Sequence, residues 1–275
     1  MAAGLLGPDR MPFSQSNTTR FRVIDLGFGC GDQSIYLTQL TRKIRRTGDS
    51  ATDPPRHYLL DSYVGLTIAP SQFRFANKRL HSSSYKKGSR VKLFCADAAK
   101  PSTWTKDIHE AATNTSTKED GTDVASTTHN QATWVLALDT LYHFMPSREP
   151  IFRHAFGELN ASIMAFDLLL SDTPSSWDLI LLRLVCFFAA TPFSNFLTIT
   201  EYTNGLLAAG YDRNKIEIRD ISDRVFAGMA SFIERRDGEL KNIGMTIGRY
   251  RVAGKMFKWW ARSGIVRGCI VVARR

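Results

Sequence analysis

The sequence predicts an α/β protein built on a mostly parallel sheet with helices on both faces. Short runs of β-branched and apolar residues alternate along the 275-residue chain with longer runs of helical periodicity. Strands separated by helices favour parallel pairing, because a crossover helix returns the chain to the same end of the sheet. Three glycines at alternate positions after the first strand-like run indicate a loop where the backbone approaches another group closely.

The first part of the chain supplies three strands and two helices. FRVIDL (21–26) predicts the first strand, and DQSIYLTQLTRKI (32–44) predicts the first helix because its apolar residues recur near one face. SYVGLT (62–67) predicts the second strand. PSQFRFANKRL (70–80) predicts the next helix, with proline at its first position, and RVKLFC (90–95) predicts the third strand.

The second part supplies four more strands. These are TWVLAL (133–138), ASIMAFDLLL (161–170), KIEIRDI (215–221) and RGCIVVARR (267–275). A helix within 195–211 separates the fifth strand from the sixth, with apolar residues on one side.

Two segments are expected to lie outside the packed structure. Residues 1–20 predict a disordered tail, and they lack the charged start and apolar core of a secretory signal. Residues 114–131 are rich in Thr, Ser, Asp and Asn and predict a flexible insertion. Because strands continue on both sides of that insertion, residues 21–275 are expected to form a single domain.

The net charge of +10 favours anionic partners, but the Lys and Arg residues are scattered. The densest basic group, RKIRR (42–46), has no interleaved aromatic residues, so we expect a solvated basic face in preference to nucleic-acid or anionic-membrane binding. The most apolar run, 179–190, is shorter than the roughly 20 residues that span a bilayer and contains Arg183. We therefore expect a soluble, cytoplasmic protein without a transmembrane segment.

The four cysteines, Cys30, Cys95, Cys186 and Cys269, are far apart and form no CxxC pair. This spacing favours buried thiols in a reducing compartment over a disulfide framework, and it predicts no metal site.

The glycine-rich segment DLGFGCGDQS follows the first strand, where ligands bind in parallel α/β sheets. Its spacing, with Gly27, Gly29 and Gly31, differs from the GxGxxG of dinucleotide-binding folds, and no Lys-Ser/Thr follows to bind a phosphate. The carboxylate of Asp25 precedes the glycines and suits a ligand with a positive centre. S-adenosylmethionine, which has a sulfonium and an amino group but no phosphate, meets that description.

At this point the chain resembles a known family. VIDLGFGCG resembles motif I of class I S-adenosylmethionine-dependent methyltransferases. GLTIAPSQ is similar to the GxTLSxxQ turn of the branch that contains cyclopropane-fatty-acid-synthase-like and small-molecule (type 11) methyltransferases. FCADAAKP, LALDTLYHF and GYDRNKIEIRDIS resemble later motifs of the family, in the expected order. The resemblance covers roughly residues 21–275.

The resemblance implies a Rossmann-like, seven-stranded and mostly parallel sheet whose last strand runs antiparallel beside the fifth and sixth. It also implies S-adenosyl-L-methionine as cofactor. The implied cofactor-binding residues are Asp25, Gly27, Gly29 and Gly31 at the methionine moiety, Thr67 and Gln72 at the ribose, Asp97 and Ala98 at the adenine, and Asp139 near the methionine end. Threonine at position 67, where most class I members have an acid, is typical of the cyclopropane-synthase-like branch.

Methyl transfer requires alignment of acceptor and donor, and it requires a base where the acceptor carries a proton. His143 follows the fourth strand and Asp167 ends the fifth, so the sequence predicts a catalytic histidine oriented by a carboxylate. The alternative is that His143 only packs the turn. Tyr142 and Tyr202 are candidate substrate-binding residues, with a core position as the alternative for Tyr202.

The function that follows is methyl transfer to a small-molecule acceptor, with a hydroxyl as the expected nucleophile and natural-product tailoring as the expected context. A lipid or sterol acceptor is the alternative, since the apolar run after the fifth strand could cover a lipophilic substrate or could be an ordinary buried helix. The short segment before motif I favours a third possibility, a methyltransferase-like binding protein without turnover.

Overall fold

The structure is a computed structural model that describes residues 21–43, 56–82, 90–113, 132–248 and 250–275. The predicted N-terminal tail and the predicted insertion at 114–131 lie outside the described residues.

The described residues form nine strands and eight α-helices. The strands are β1 (Phe21–Leu26), β2 (Thr41–Lys43), β3 (Arg56–Tyr58), β4 (Leu60–Thr67), β5 (Arg90–Cys95), β6 (Ala132–Leu138), β7 (Ser162–Leu170), β8 (Ile216–Asp220) and β9 (Val266–Ala273). The helices are α1 (Asp32–Thr38), α2 (Pro70–Ser82), α3 (Lys106–Thr113), α4 (Glu149–Gly157), α5 (Ser176–Phe188), α6 (Ile199–Ala209), α7 (Ser222–Lys241) and α8 (Tyr250–Ser263).

Seven strands form one sheet in the order β5-β4-β1-β6-β7-β9-β8. The pairs from β5 to β7 are parallel, whereas β9 pairs antiparallel with both β7 and β8. The strand β1 is the middle one of the five parallel strands, between β4 and β6, so the loop after it lies in the middle of their carboxyl edge. The predicted α/β fold, with its antiparallel last strand beside the fifth and sixth, is confirmed.

Helices cover both faces of the sheet. Alternate residues of β1 point to opposite sides, and each side packs in its own cluster. Ile24 packs in a core cluster with Phe152 of α4 and Leu206 of α6. Val23 belongs to a separate cluster with Tyr63 of β4 and Leu37 of α1. A third cluster joins β7 and β9 to the helices α5, α7 and α8, through residues that include Leu168, Val266, Leu182, Phe226 and Trp260.

The first helix is shorter than predicted. It ends at Thr38, and β2 then pairs antiparallel with β3 in a separate two-stranded sheet. The hydroxyl of Thr38 donates to the backbone oxygen of Ser34 at 2.6 Å, and the backbone nitrogen of Leu59 donates to the oxygen of Leu40 at 3.0 Å. The apolar periodicity of 32–44 continued past this point, so strand pairing with a distant segment overrode the local helical pattern.

The predicted burial of the cysteines is wrong for two of them. Cys186 and Cys269 are buried in the core, but Cys30 and Cys95 are exposed, and all four are free thiols. Both exposed cysteines lie where a strand gives way to a loop at the carboxyl edge, and such loops are less covered than the strands that they follow. Among the described residues, no helix is long and apolar enough to cross a membrane.

Candidate cofactor and substrate site

The loops that follow β1, β4, β5 and β6 meet at the carboxyl edge of the parallel strands. The register pairs Asp25 of β1 with Gly65 of β4 and with Leu136 of β6, so the three strands end almost level. The carboxyl edge of such a sheet is where α/β proteins bind ligands.

The glycine loop after β1 is fixed to the end of β4. The backbone nitrogens of Gly27 and Phe28 both approach the oxygen of Leu66, at 2.8 and 3.4 Å. The carbonyl oxygen of Cys30 accepts a hydrogen bond of 2.9 Å from Arg79 of α2, so the far side of the loop is also held.

The three glycines of this loop have positive φ angles but different surroundings. A Cβ atom at Gly27 would lie 2.6 Å from the hydroxyl oxygen of Thr140, and one at Gly31 would lie 2.8 Å from the Cβ of Ala76. A Cβ at Gly29 would meet no heavy atom of the described residues within 4 Å. Packing therefore explains Gly27 and Gly31, whereas Gly29 faces open space.

Asp25 is buried near the end of β1, where its side chain connects β1 to β4 and to α1, the helix that follows the glycine loop. Its Oδ2 accepts a 2.5 Å hydrogen bond from the hydroxyl of Tyr63 and a 3.2 Å hydrogen bond from the amide nitrogen of Gln33. The hydroxyls of Tyr63 and Ser34 lie 2.7 Å apart, which extends the network into α1. Burial raises the pKa of Asp25 to about 6, although both hydrogen bonds favour its ionised form.

Sequence reasoning found Asp25 but missed Tyr63, Gln33 and Ser34. A tyrosine in the middle of an apolar strand was the available signal, because a buried phenol hydroxyl normally finds a hydrogen-bond partner.

The turn after β4 brings two predicted ribose-binding residues together. The hydroxyl of Thr67 donates to the side-chain oxygen of Gln72 at 2.9 Å and accepts a hydrogen bond from the backbone nitrogen of Ala69. Ile68 stands beside them with 70% of its surface exposed.

The loop after β5 presents Asp97 at the same edge. Its Oδ1 accepts a 2.9 Å hydrogen bond from the backbone nitrogen of Ala99, and its Oδ2 lies 3.3 Å from the ammonium of Lys100. The indole of Trp104 donates to the backbone oxygen of Asp97 at 3.1 Å, which fixes the loop to the core. The side chain of Ala98 is buried.

The loop after β6 carries Asp139, Tyr142 and His143. Asp139 has a φ of 60° and is exposed, and its Oδ1 accepts a 2.9 Å hydrogen bond from the hydroxyl of Tyr142. The rings of Tyr142 and His143 are 4.2 Å apart between centroids. Burial of part of the His143 ring lowers its pKa, and the nearby Asp139 carboxylate opposes this shift.

The predicted pairing of His143 with Asp167 is wrong. Asp167 is fully buried, and its Oδ2 forms a 2.7 Å ion pair with Arg148, which directly precedes α4. Its other oxygen accepts from the backbone nitrogen of Leu168 at 2.9 Å. The Nδ1 of His143 instead lies 3.4 Å from the hydroxyl of Thr191. Arg148 therefore supplies the counter-charge for this buried carboxylate.

Arg148 also organises the turn that carries Tyr142. Its second terminal nitrogen donates to the backbone oxygen of Asn195. The side-chain nitrogen of Asn195 donates in turn to the backbone oxygens of Tyr142, at 3.2 Å, and Phe144, at 2.5 Å. Asp167 therefore acts on this turn indirectly, through Arg148 and Asn195.

The predicted substrate role of Tyr202 is also wrong. Its side chain is fully buried, and the guanidinium of Arg148 lies over its ring at 4.9 Å from the centroid. Its ring also packs against Phe152 at 5.5 Å between centroids. The alternative, a core position, is confirmed.

Among the described residues, no group of three or more His, Cys, Asp or Glu side chains is close enough to hold a metal ion.

Comparison with known proteins identifies the fold. No protein-family model and no curated protein matches the sequence. The solved structure of Haemonchus contortus phosphoethanolamine N-methyltransferase 2 with S-adenosyl-L-methionine is similar over 100% of this chain, with a TM-score of 0.66 and 13% identity. The cyclopropane synthase MmaA2 from Mycobacterium tuberculosis is similar over 94% of this chain and 80% of its own, with a TM-score of 0.57 and 13% identity.

The [4+2]-cyclase SpnF is similar over 94% of this chain and 76% of its own, with a TM-score of 0.52 and 16% identity. The chain spans about half, 52%, of the length of the Haemonchus protein. At these identities the likeness shows the Rossmann-like methyltransferase fold, and the predicted fold family is confirmed at that level.

Proposed function

We propose that the protein is an S-adenosylmethionine-dependent methyltransferase that acts on a small-molecule acceptor. The observation that carries this proposal is the open space at Gly29, in a loop whose other two glycines are closed by packing against Thr140 and Ala76. The φ of 61° at Gly29 favours glycine in any case, and the missing Cβ also keeps this space open for a ligand that approaches the backbone.

The residues around this space suit the cofactor. Asp25 and the backbone of Gly29 would border its amino acid part, which carries a positive amino group. The Thr67–Gln72 pair would bind the ribose, and Asp97 would face the adenine. When bound, the cofactor supplies a methyl group on a positively charged sulfur, which a nucleophile attacks in line.

The acceptor would lie between the cofactor space and the loop after β6. His143 would take the proton of an acceptor hydroxyl, because its lowered pKa leaves the imidazole neutral at pH 7. Tyr142, held by Asp139, would contact the acceptor beside it. Natural-product tailoring in the cytoplasm remains the context that the sequence predicts.

Two alternatives have specific observations in their favour. The apolar helix α5 ends three residues before Thr191, whose hydroxyl lies 3.4 Å from His143, and this favours a lipid or sterol acceptor as the first alternative. The second alternative is a methyltransferase-like binding protein without methyl transfer. It is favoured by SpnF, a similar structure that is named as a [4+2]-cyclase and not as a methyltransferase. Turnover with methyl-labelled cofactor and extracts containing candidate acceptors separates these possibilities.

The cofactor site is tested by titrating S-adenosylhomocysteine into Gly29→Val. A branched side chain would fill the open space, so we expect loss of detectable binding by calorimetry. Gly248→Val is the matched control, because Gly248 has a φ of 59° against 61° at Gly29, and a Cβ built on it would also meet no heavy atom of the described residues within 4 Å. Both variants carry the same backbone strain, of roughly 1–3 kcal/mol, so they should lose similar stability. Normal binding by folded Gly29→Val would contradict the assignment.

A further inference from the structure

The helix α5 has an exposed apolar side that the proposed function does not use. Six large side chains on it face solvent, at helical spacings of three and four residues. They are Trp177 at 82% exposure, Ile180 at 50%, Leu181 at 44%, Leu184 at 51%, Phe187 at 79% and Phe188 at 83%. We call this set the α5 apolar stripe. The opposite side of the helix buries Leu182 and Cys186 in the core.

This stripe differs from ordinary surface apolar residues, which occur singly. It lies on the side of α5 that faces away from the core cluster containing Leu182 and Cys186. The sequence predicts either a lid or a buried helix for this segment, whereas the structure leaves one side of α5 exposed. Six large apolar side chains exposed together on one side of a helix indicate a surface that binds a partner.

The neighbouring helix α8 carries a line of positive charge. Arg251, Lys255, Lys258 and Arg262 are spaced by four, three and four residues, so they lie along one side of the helix, and α8 contains no acidic residue. We call this set the α8 basic stripe. Arg251 pairs with Asp237 and Lys258 pairs with Glu234, whereas Lys255 and Arg262 have no ion pair among the described residues.

The charge around α8 is a large share of the chain's total. Residues 222–263 contain nine Lys and Arg residues against four Asp and Glu residues, which is half of the net charge of +10. The two stripes belong to adjacent helices, because the indole of Trp259 in α8 donates a 3.0 Å hydrogen bond to Asp178 in α5. Both helices pack on the same face of the sheet, and both stripes lie on the sides away from it.

We propose that this face docks the protein on an anionic lipid surface. The α5 apolar stripe would enter the boundary between headgroups and acyl chains, and the α8 basic stripe would bind the lipid phosphates. A second copy of the chain suits the face less well, because a two-fold contact would bring like-charged stripes together. Nucleic acid would leave the six apolar side chains without a partner.

Docking goes beyond the proposed function and does not depend on methyl transfer. Docking would also affect how an acceptor reaches His143. Thr191, which contacts His143, lies only three residues beyond the end of α5. The docked protein would hold the edge that carries His143 close to the lipid.

The test is sedimentation of the full chain with vesicles of phosphatidylcholine, with and without phosphatidylserine. We expect binding to the anionic vesicles that weakens with salt, and much weaker binding to the neutral ones. Lys255→Glu with Arg262→Glu should weaken binding by at least about tenfold, since one basic residue near an anionic membrane contributes about fivefold. Arg213→Glu with Lys215→Glu is the matched control, because both residues are exposed in the turn before β8 and the change in net charge is the same.

The apolar contribution is tested by Trp177→Ser with Phe188→Ser, which should also weaken vesicle binding by at least about tenfold. Phe75→Ser is the control, because Phe75 is 53% exposed but lies on α2. Vesicle binding that is equal in all variants, or absent from the parent, would overturn the proposal. So would a dimer of the parent in light scattering that Trp177→Ser with Phe188→Ser converts to a monomer. Circular dichroism establishes that each variant is folded.

Discussion

At the scale of single residues, His143 is the group that could accept a proton in the proposed reaction. Its ring is held by Tyr142 and Thr191, and it forms no ion pair with a carboxylate among the described residues. Burial lowers its pKa from the ordinary value of 6.5, with Asp139 opposing the shift. The sequence predicted that Asp167 orients this histidine, and this is wrong because that carboxylate pairs with Arg148.

With a hydroxyl acceptor, His143→Ala should lower the single-turnover rate by about 10²–10⁴-fold, the usual contribution of a general base. Its affinity for S-adenosylhomocysteine should stay close to that of the parent. The rate of the parent should rise with pH and level off, with an inflection below the ordinary histidine value of 6.5. His109→Ala, a half-buried histidine on α3, is the control. A rate for His143→Ala within about threefold of the parent would leave alignment alone to explain catalysis.

The sequence predicted some site residues well and could not have predicted others. Thr67 and Gln72 lie in one turn, so a local pattern sufficed, and the structure brings them into contact. Asp167 stands in an apolar strand, but nothing near it in the sequence indicated that Arg148, in the polar run PSREP, is its partner. Asn195 likewise acts across 51 to 53 residues of sequence. The periodicity of a local segment does not show which distant polar residue its side chains will contact.

At the scale of elements, apolar runs predicted the strands of the sheet to within two residues at their starts and ends. The run FRVIDL, for example, is β1 over its full length. These runs are reliable because strands of a covered parallel sheet are buried on both faces. The helix α1 was predicted too long because its end depends on β2 pairing with β3, a contact that periodicity does not contain.

The ion pair between Arg148 and Asp167 joins the start of α4 to β7, and Asn195 extends it to the turn after β6. We expect Asp167→Asn to destabilise the protein by about 3–5 kcal/mol, because it leaves a guanidinium buried without its counter-charge. Urea denaturation of the variant and parent measures this difference.

The matched variant is Arg148→Met with Asp167→Leu, which removes both charges. It should lose less stability than Asp167→Asn, because no uncompensated charge remains. An Asp167→Asn variant as stable as the parent would mean that the pair does not hold these elements. A slower methyl transfer in Asp167→Asn, with cofactor affinity intact, would support its action through the turn that carries Tyr142.

At the scale of the whole molecule, the polar groups beneath the candidate site affect global stability. The strand β1 lies between β4 and β6, so the carboxyl group of Asp25 has neighbouring strands on both sides. Tyr63 and Gln33 supply hydrogen bonds to it, but no ion pair to Asp25 is present among the described residues. Its ionisation is therefore costly in the folded protein and easy in the unfolded chain.

The sign of the resulting pH dependence follows from the pKa of Asp25, which burial raises to about 6 from the ordinary 3.8. Between these values the folded state binds more protons than the unfolded state, so the contribution of Asp25 to the free energy of unfolding falls as pH rises and is constant above about 6. A shift of about two units corresponds to roughly 3 kcal/mol.

Asp25→Asn cannot ionise, so the stability of the parent relative to this variant should fall by up to that amount between about pH 4 and 7. Urea denaturation of both proteins across this range measures the difference and cancels the contributions of other groups. A difference that is constant with pH, or that grows as pH rises, would contradict the raised pKa and would mean that Tyr63 and Gln33 stabilise the ionised form at least as much as burial opposes it.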